Sequence, residues 1–202
     1  MTTLKLPKSI ITILEDLSSY FNINQIDYVV VGGIAVNIWG RSRNTNDVDF
    51  IVDHRAIKIK EFVEYLKKKD YYVREYDLEE GFKDKTNITL FYGNFRVDII
   101  GLYQKSQKIQ IDEAKIYQLD QIVIKIDSPE TLIANKLYYG SLQDIEDALS
   151  IYVRNDIEHS KLREFCQNLG VEKYLTLLER MKNETLSEKT INEILDDLSG
   201  LL

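Results

Sequence analysis

The sequence predicts an α+β fold, a β-sheet flanked by helices and followed by a C-terminal helical region, and three observations carry that expectation. Short β-branched runs bounded by glycine or polar turns recur through the first part of the chain. Between them lie longer segments whose apolar residues repeat every three or four positions. Near Ser128 the strand-like runs stop and the helical period continues, which marks the only candidate boundary, between a core of residues 1–127 and a helical subdomain of residues 128–202.

Taken in order, Leu6, Ile10, Ile13, Leu14, Leu17 and Phe21 form one stripe, so an amphipathic helix over residues 6–21 is expected to pack on the sheet. Tyr28-Val-Val-Val31 is too short for a helix and reads as a buried strand ending at Gly32-Gly33. A helix over residues 34–39 follows and stops at Gly40. Asp47-Val-Asp-Phe-Ile-Val52 is the second strand. Ile57, Ile59, Phe62, Val63 and Leu66 among lysines and glutamates predict a surface helix over residues 56–69, with Lys67, Lys68 and Lys69 complementing its dipole. Residues 71–74 are a short strand candidate. Residues 75–85 are acidic, contain Gly81 and lack a period, which predicts a loop. Strand-like runs on either side of Gly93-Asn94 predict a hairpin closed by a two-residue turn. In the weakly patterned passage that follows, residues 121–126 make the best strand. Ser128 with Pro129 starts a helix that Gly140 ends, and Ser141 with Asp144 resembles a capping box for the next. Residues 162–169, 171–181 and 186–198 are further amphipathic segments, with Gly170 as a break.

The chemistry concentrates in the first half. Gly32-Gly33 at a helix start let a backbone approach a ligand, and the unpaired N–H groups with the positive dipole end suit a phosphate. Asp47 and Asp49 project from the same strand face about 6–7 Å apart, an arrangement that is costly unless a divalent cation lies between them; magnesium is the natural choice. Asp98 sits in a run of apolar neighbours, where an uncompensated carboxylate is expensive. Arg41 and Arg43 lie between the glycines and Asp47. Lys136 interrupts the apolar stripe of its helix and reads either as a lysine snorkelling at the core's edge or as a cation aimed at a triphosphate. Asp144 reads as a cap.

Gly32-Gly33, Asp47-Val-Asp49 after a spacer, and Asp98 on a later strand together resemble the polymerase-β-like nucleotidyltransferase superfamily. The stretch from Ser128-Pro-Glu through Lys136 and Gly140 to Asp144-Ile-Glu-Asp147 is similar to a second block of its small stand-alone bacterial and archaeal members, toxin-type enzymes included. Many members carry Gly-Ser where this chain has Gly32-Gly33, which removes a hydroxyl that could touch a phosphate. The resemblance implies a nucleotidyltransferase fold with a mixed sheet. It implies transfer of a nucleoside monophosphate from an NTP to a tRNA end, a protein side chain or a small-molecule hydroxyl. Asp47 and Asp49 would bridge two Mg2+ (or Mn2+) ions, and Asp98 would hold one of them and accept the acceptor's proton. Gly32, Gly33, Arg43 and Lys136 would serve the nucleotide, and Asp147 would belong to the catalytic set. The alternative from another class is a regulatory or antitoxin-like module that keeps the pocket without turnover, working with a cognate partner protein.

Composition bounds these readings. The formal net charge of −7 argues against nonspecific coating of nucleic acid. No apolar run approaches a membrane span and no signal core is seen, so a cytoplasmic protein is expected. The single cysteine, Cys166, is flanked at helical spacing by Leu162, Phe165 and Leu169 and reads as a half-buried helix residue without ligand neighbours.

Overall fold

A computed structural model describes residues 6–119 and 121–185, with side chains to residue 182. Two compact units divide the chain: Met1–Ile38 with Ser42–Ser128, and Trp39–Arg41 with Pro129–Leu202. The first contains helix α1 (Lys8–Ile23), strand β1 (Tyr28–Val31), helix α2 beginning at Gly32 (Gly32–Trp39), strand β2 (Asp47–Val52), a 3-10 turn (His54–Ala56) and helices α3 (Ile59–Lys68) and α4 (Glu75–Lys83). Strands β3 (Ile88–Tyr92) and β4 (Phe95–Gly101), helix α5 (Lys105–Asp112) and strands β5 (Lys115–Leu119) and β6 (Ile122–Ile126) complete it. The second unit holds α6 (Pro129–Tyr139), α7 (Leu142–Arg154), α8 (His159–Leu169) and α9 (Glu172–Thr185).

The six strands form one mixed sheet in the order β3-β4-β2-β1-β6-β5. β1 runs antiparallel to β2 and parallel to β6, while β2 and β4 are parallel. Alternation sorts the side chains. Tyr28, Val30, Val48, Phe50, Val97 and Ile99 face the main core, where Phe21 of α1 lies 5.3 Å from the Tyr28 ring, 5.7 Å from Phe50 and 5.8 Å from Phe62 of α3. Burying an aromatic of this kind contributes about 1.5–3 kcal/mol. On the opposite face Val29, Val31 and Ile51 pack against Ile111 of α5, with Ile100 and Leu102 beside them. The neighbouring part of that face carries the carboxylates.

Most expected elements are present within a few residues. Gly93 takes φ +57° in the β3–β4 turn and Asn94 does not share its sign, which fits a type II′ hairpin. Ser141 and Asp144 form the expected capping box at α7, and Gly170 caps α8 at φ 70°. Cys166 is fully buried rather than half-buried, and burial pushes its thiol up to about 12. Two expectations are corrected. Residues 75–85 are not a loop: Glu75–Lys83 is helix α4, which buries Leu78, Gly81 and Phe82 on one stripe. Gly81 is there for contact, because a Cβ would lie 2.3 Å from the Ile88 side chain. Residues 71–74 form no strand; Tyr72 makes a single bridge to Phe91. The expected segment 186–198 lies outside the described residues. No described helix is long and apolar enough to cross a membrane.

Candidate active site

The parallel register of β2 and β4 builds the centre of the sheet unit's candidate site. Asp47 is opposite Arg96 and Asp49 opposite Asp98, while Thr89 of β3 is opposite Asp98 from the other side. Alternation therefore gathers Asp47, Asp49, Arg96, Asp98 and Thr89 on one face. Thr89 Oγ1 donates to Asp98 Oδ1 at 2.7 Å. Arg96 Nη2 lies 3.0 Å from Asp98 Oδ2 and 3.5 Å from Asp47 Oδ2, so one guanidinium nitrogen reaches both carboxylates. The Asp98 side chain is 10% exposed, whereas those of Asp47 and Arg96 are 46% and 50% exposed. The group opens toward solvent on its Asp47 side.

The helix start adjoins this face. Val31, the last residue of β1, is opposite Asp49, and Gly32 follows with φ +66°. A Cβ on Gly32 would lie 2.2 Å from Asp49 Oδ2; one on Gly33 would lie 2.7 Å from Thr45 Oγ1 and 3.2 Å from Arg43 Nη2. The two glycines thus admit the chain's own side chains against the first turn of α2, a carboxylate at one and a guanidinium at the other. Asn37, buried on α2, accepts the Arg43 backbone N–H at 2.7 Å, and Thr45 Oγ1 donates to the Asp47 carbonyl at 3.2 Å. These bonds fix the loop that carries Arg43 into β2.

Among the described residues no group of three His, Cys, Asp or Glu side chains is arranged to hold a metal ion. The donor chemistry nevertheless suits a hard cation. Asp49 and Asp98 are in register on adjacent strands, and Asp47 and Asp98 meet diagonally at a point where a positive charge, that of Arg96, already lies.

Lys136 and Asp147 belong to the helical unit and meet there. Lys136 Nζ lies 2.7 Å from Asp144 Oδ1 and 3.3 Å from Asp147 Oδ2, and Arg41 Nε lies 3.0 Å from Asp147 Oδ1. Arg41 Nη1 also pairs with Glu146, and its backbone N–H donates to Ser150 Oγ at 3.1 Å. Asp147 is fully buried. Burial lowers the Arg41 pKa, but its bonds to Asp147 and Glu146 outweigh that and hold it above the usual value. At Asp144 burial acts upward, and the bonds from Lys136 and Ser141 overcome it to hold the carboxyl below its usual range. Lys136 is thus not a lysine snorkelling to solvent: its ammonium is shared by two carboxylates of α7.

Sequence reasoning placed Gly32, Gly33, Arg43, Asp47, Asp49 and Asp98 in one neighbourhood together with Lys136 and Asp147; the first six belong to the sheet unit and the last two to the helical unit, and Arg96, Thr89, Thr45 and Asn37 were missed. A signal for Arg96 was present, because Arg96-Val-Asp98 puts both on one strand face; its bridge to Asp47 needs the β2–β4 register.

No known family profile matches the sequence, and no curated protein matches it either. Solved structures do. An antigenic nucleotidyltransferase-like protein from Paracoccidioides brasiliensis shares 21% identity at a TM-score of 0.54, covering 85% of this chain and 91% of that one. The antibiotic-resistance factor ANT(2'')-Ia shares 14% identity at a TM-score of 0.55, covering 88% of this chain and 100% of that one. The α+β fold with its mixed sheet is therefore a nucleotidyltransferase fold.

Proposed function

We propose that the chain is a metal-dependent nucleotidyltransferase that moves a nucleoside monophosphate from an NTP to an acceptor hydroxyl or similar group, with pyrophosphate leaving. The observation that carries this reading is the register of β2 and β4, which sets Asp47, Asp49 and Asp98 on one sheet face beside the first turn of α2 in a fold of this kind. Three carboxylates on one sheet face, with Asp98 buried, are costly as packing and sensible as ligands.

Asp47, Asp49 and Asp98 would hold Mg2+ or Mn2+ once their side chains converge. Bound there, the ion would neutralise phosphate charge and clamp the attacking and leaving oxygens. Thr89 donates to one Asp98 oxygen and so fixes the orientation of that carboxylate on the sheet face. Gly32 lets Asp49 lie against the helix start, and Arg43 brings a positive charge to Gly33, next to N–H groups that suit a phosphate oxygen. Arg41, Lys136, Asp144 and Asp147 form an ion cluster that stabilises the helical unit. Acceptor candidates are a small-molecule hydroxyl, as the antibiotic-resistance neighbour suggests, a tRNA end or a protein side chain. The test is transfer from labelled NTPs, with magnesium, to pools of each class. Label should move with the natural chain and be lost in Asp49→Ala with the fold intact; equal transfer by Asp49→Ala at saturating magnesium would refute the assignment.

A further inference from the structure

The Arg96 side chain has no part in the packing of the sheet unit's core, yet it is the cation through which Asp47 and Asp98 meet. One nitrogen reaches an oxygen of each, at 3.5 and 3.0 Å, and half the side chain is exposed. The partners differ in freedom. Asp98 is buried and tied by Thr89, whereas Asp47 and Arg96 both face solvent at the open side. The exposed Arg96–Asp47 contact is weak and readily exchanged, the half-buried Arg96–Asp98 contact less so, and a divalent ion concentrates twice the charge in a smaller volume.

We infer that Arg96 is a resident counter-cation of the Asp47–Asp98 pair, one that a divalent ion must displace to bind, so that ion binding frees the guanidinium at the rim of the site. The inference rests on the reading of Asp47 and Asp98 as ligands. Arg96 is in this sense a positioning residue: it spares the ion-free site the repulsion of two facing carboxylates and sets the threshold of ion concentration at which the site forms.

Calorimetric titration of the full chain with Mn2+ alone, without nucleotide, tests this, together with thermal unfolding in EDTA and in excess Mn2+. In Arg96→Met, which keeps an apolar stem and removes the charge, Mn2+ should bind on the order of three- to tenfold more tightly. The variant should melt below the natural chain in EDTA and match or exceed it in Mn2+. A purely structural arginine would lower both melting points alike. Binding of Mn2+ by the natural chain with equal or weaker binding by Arg96→Met overturns the inference and leaves the site reading standing. Binding by neither overturns both. Should Arg96→Met not fold in EDTA, Arg96→Gln, which keeps a polar amide and removes the charge, is judged by the same criterion: tighter Mn2+ binding supports the inference, and equal or weaker binding overturns it.

Discussion

Gly32→Ala tests the site through a residue that carries no charge. Two costs arise and they can be separated. The first is backbone: Gly32 has φ +66°, where a Cβ costs about 1–2 kcal/mol. The second is contact: the new Cβ would lie 2.2 Å from Asp49 Oδ2, so the carboxylate must retreat by about 1 Å, a displacement that can cost on the order of a hundredfold in rate when it moves a catalytic group. Gly93→Ala is the internal control. Its φ is also positive, at +57°, and a Cβ there meets nothing within 4 Å. Urea denaturation should show both variants destabilised by about 1–2 kcal/mol, with Gly32→Ala the worse. Nucleotidyl transfer should fall at least about a hundredfold in Gly32→Ala and stay within about twofold in Gly93→Ala. Equal activity in the two variants would show that the position of Asp49 does not matter to transfer.

Three further outcomes are expected. ATP should bind more tightly in magnesium than in EDTA, since Asp47, Asp49 and Asp98 repel a bare triphosphate; equal calorimetric affinities would contradict their role. Lys136→Met should lower stability by about 1–3 kcal/mol in chemical denaturation, because it leaves the buried Asp147 with one cation fewer while Arg41 still pairs with it, and an unchanged midpoint would remove the ion cluster from the structural account. Asp144 is held below its usual range by Lys136 and Ser141, so the unfolded chain takes up its proton first. Its contribution is complete above the ordinary carboxylate pKa of about 4 and is lost as pH falls through the depressed one. A denaturation series over that acid range should flatten in Asp144→Asn; an identical pH profile would refute the linkage.

What the sequence made legible were features that neighbours along the chain decide. Period two put Asp47 with Asp49, glycine pairs marked turns and helix ends, and Ser141 with Asp144 spelled a cap. What it hid were features decided by a partner elsewhere. Gly81 looked like a breaker because the Ile88 side chain that requires it comes from β3. Helix α5 was missed because it buries only Gln110 and Ile111, too few positions to show a period. Lys136 showed a break in an apolar stripe, but its two carboxylates lie on the next helix.

Both charged groups supply their own counter-ions, and exposure separates their roles. In the helical unit Asp147 is fully buried and the Lys136 side chain only 11% exposed, so an external ion would have to shed most of its water to replace the lysine. In the sheet unit Asp47 and Arg96 are about half exposed although Asp98 is only 10% exposed, so the Asp47 end of the group is hydrated and weakly held. The same chemistry, a carboxylate shared with a cation, is therefore permanent in one place and replaceable in the other. Replaceability is what the proposed site, which must take up an ion and a triphosphate, requires of the carboxylates on β2 and β4.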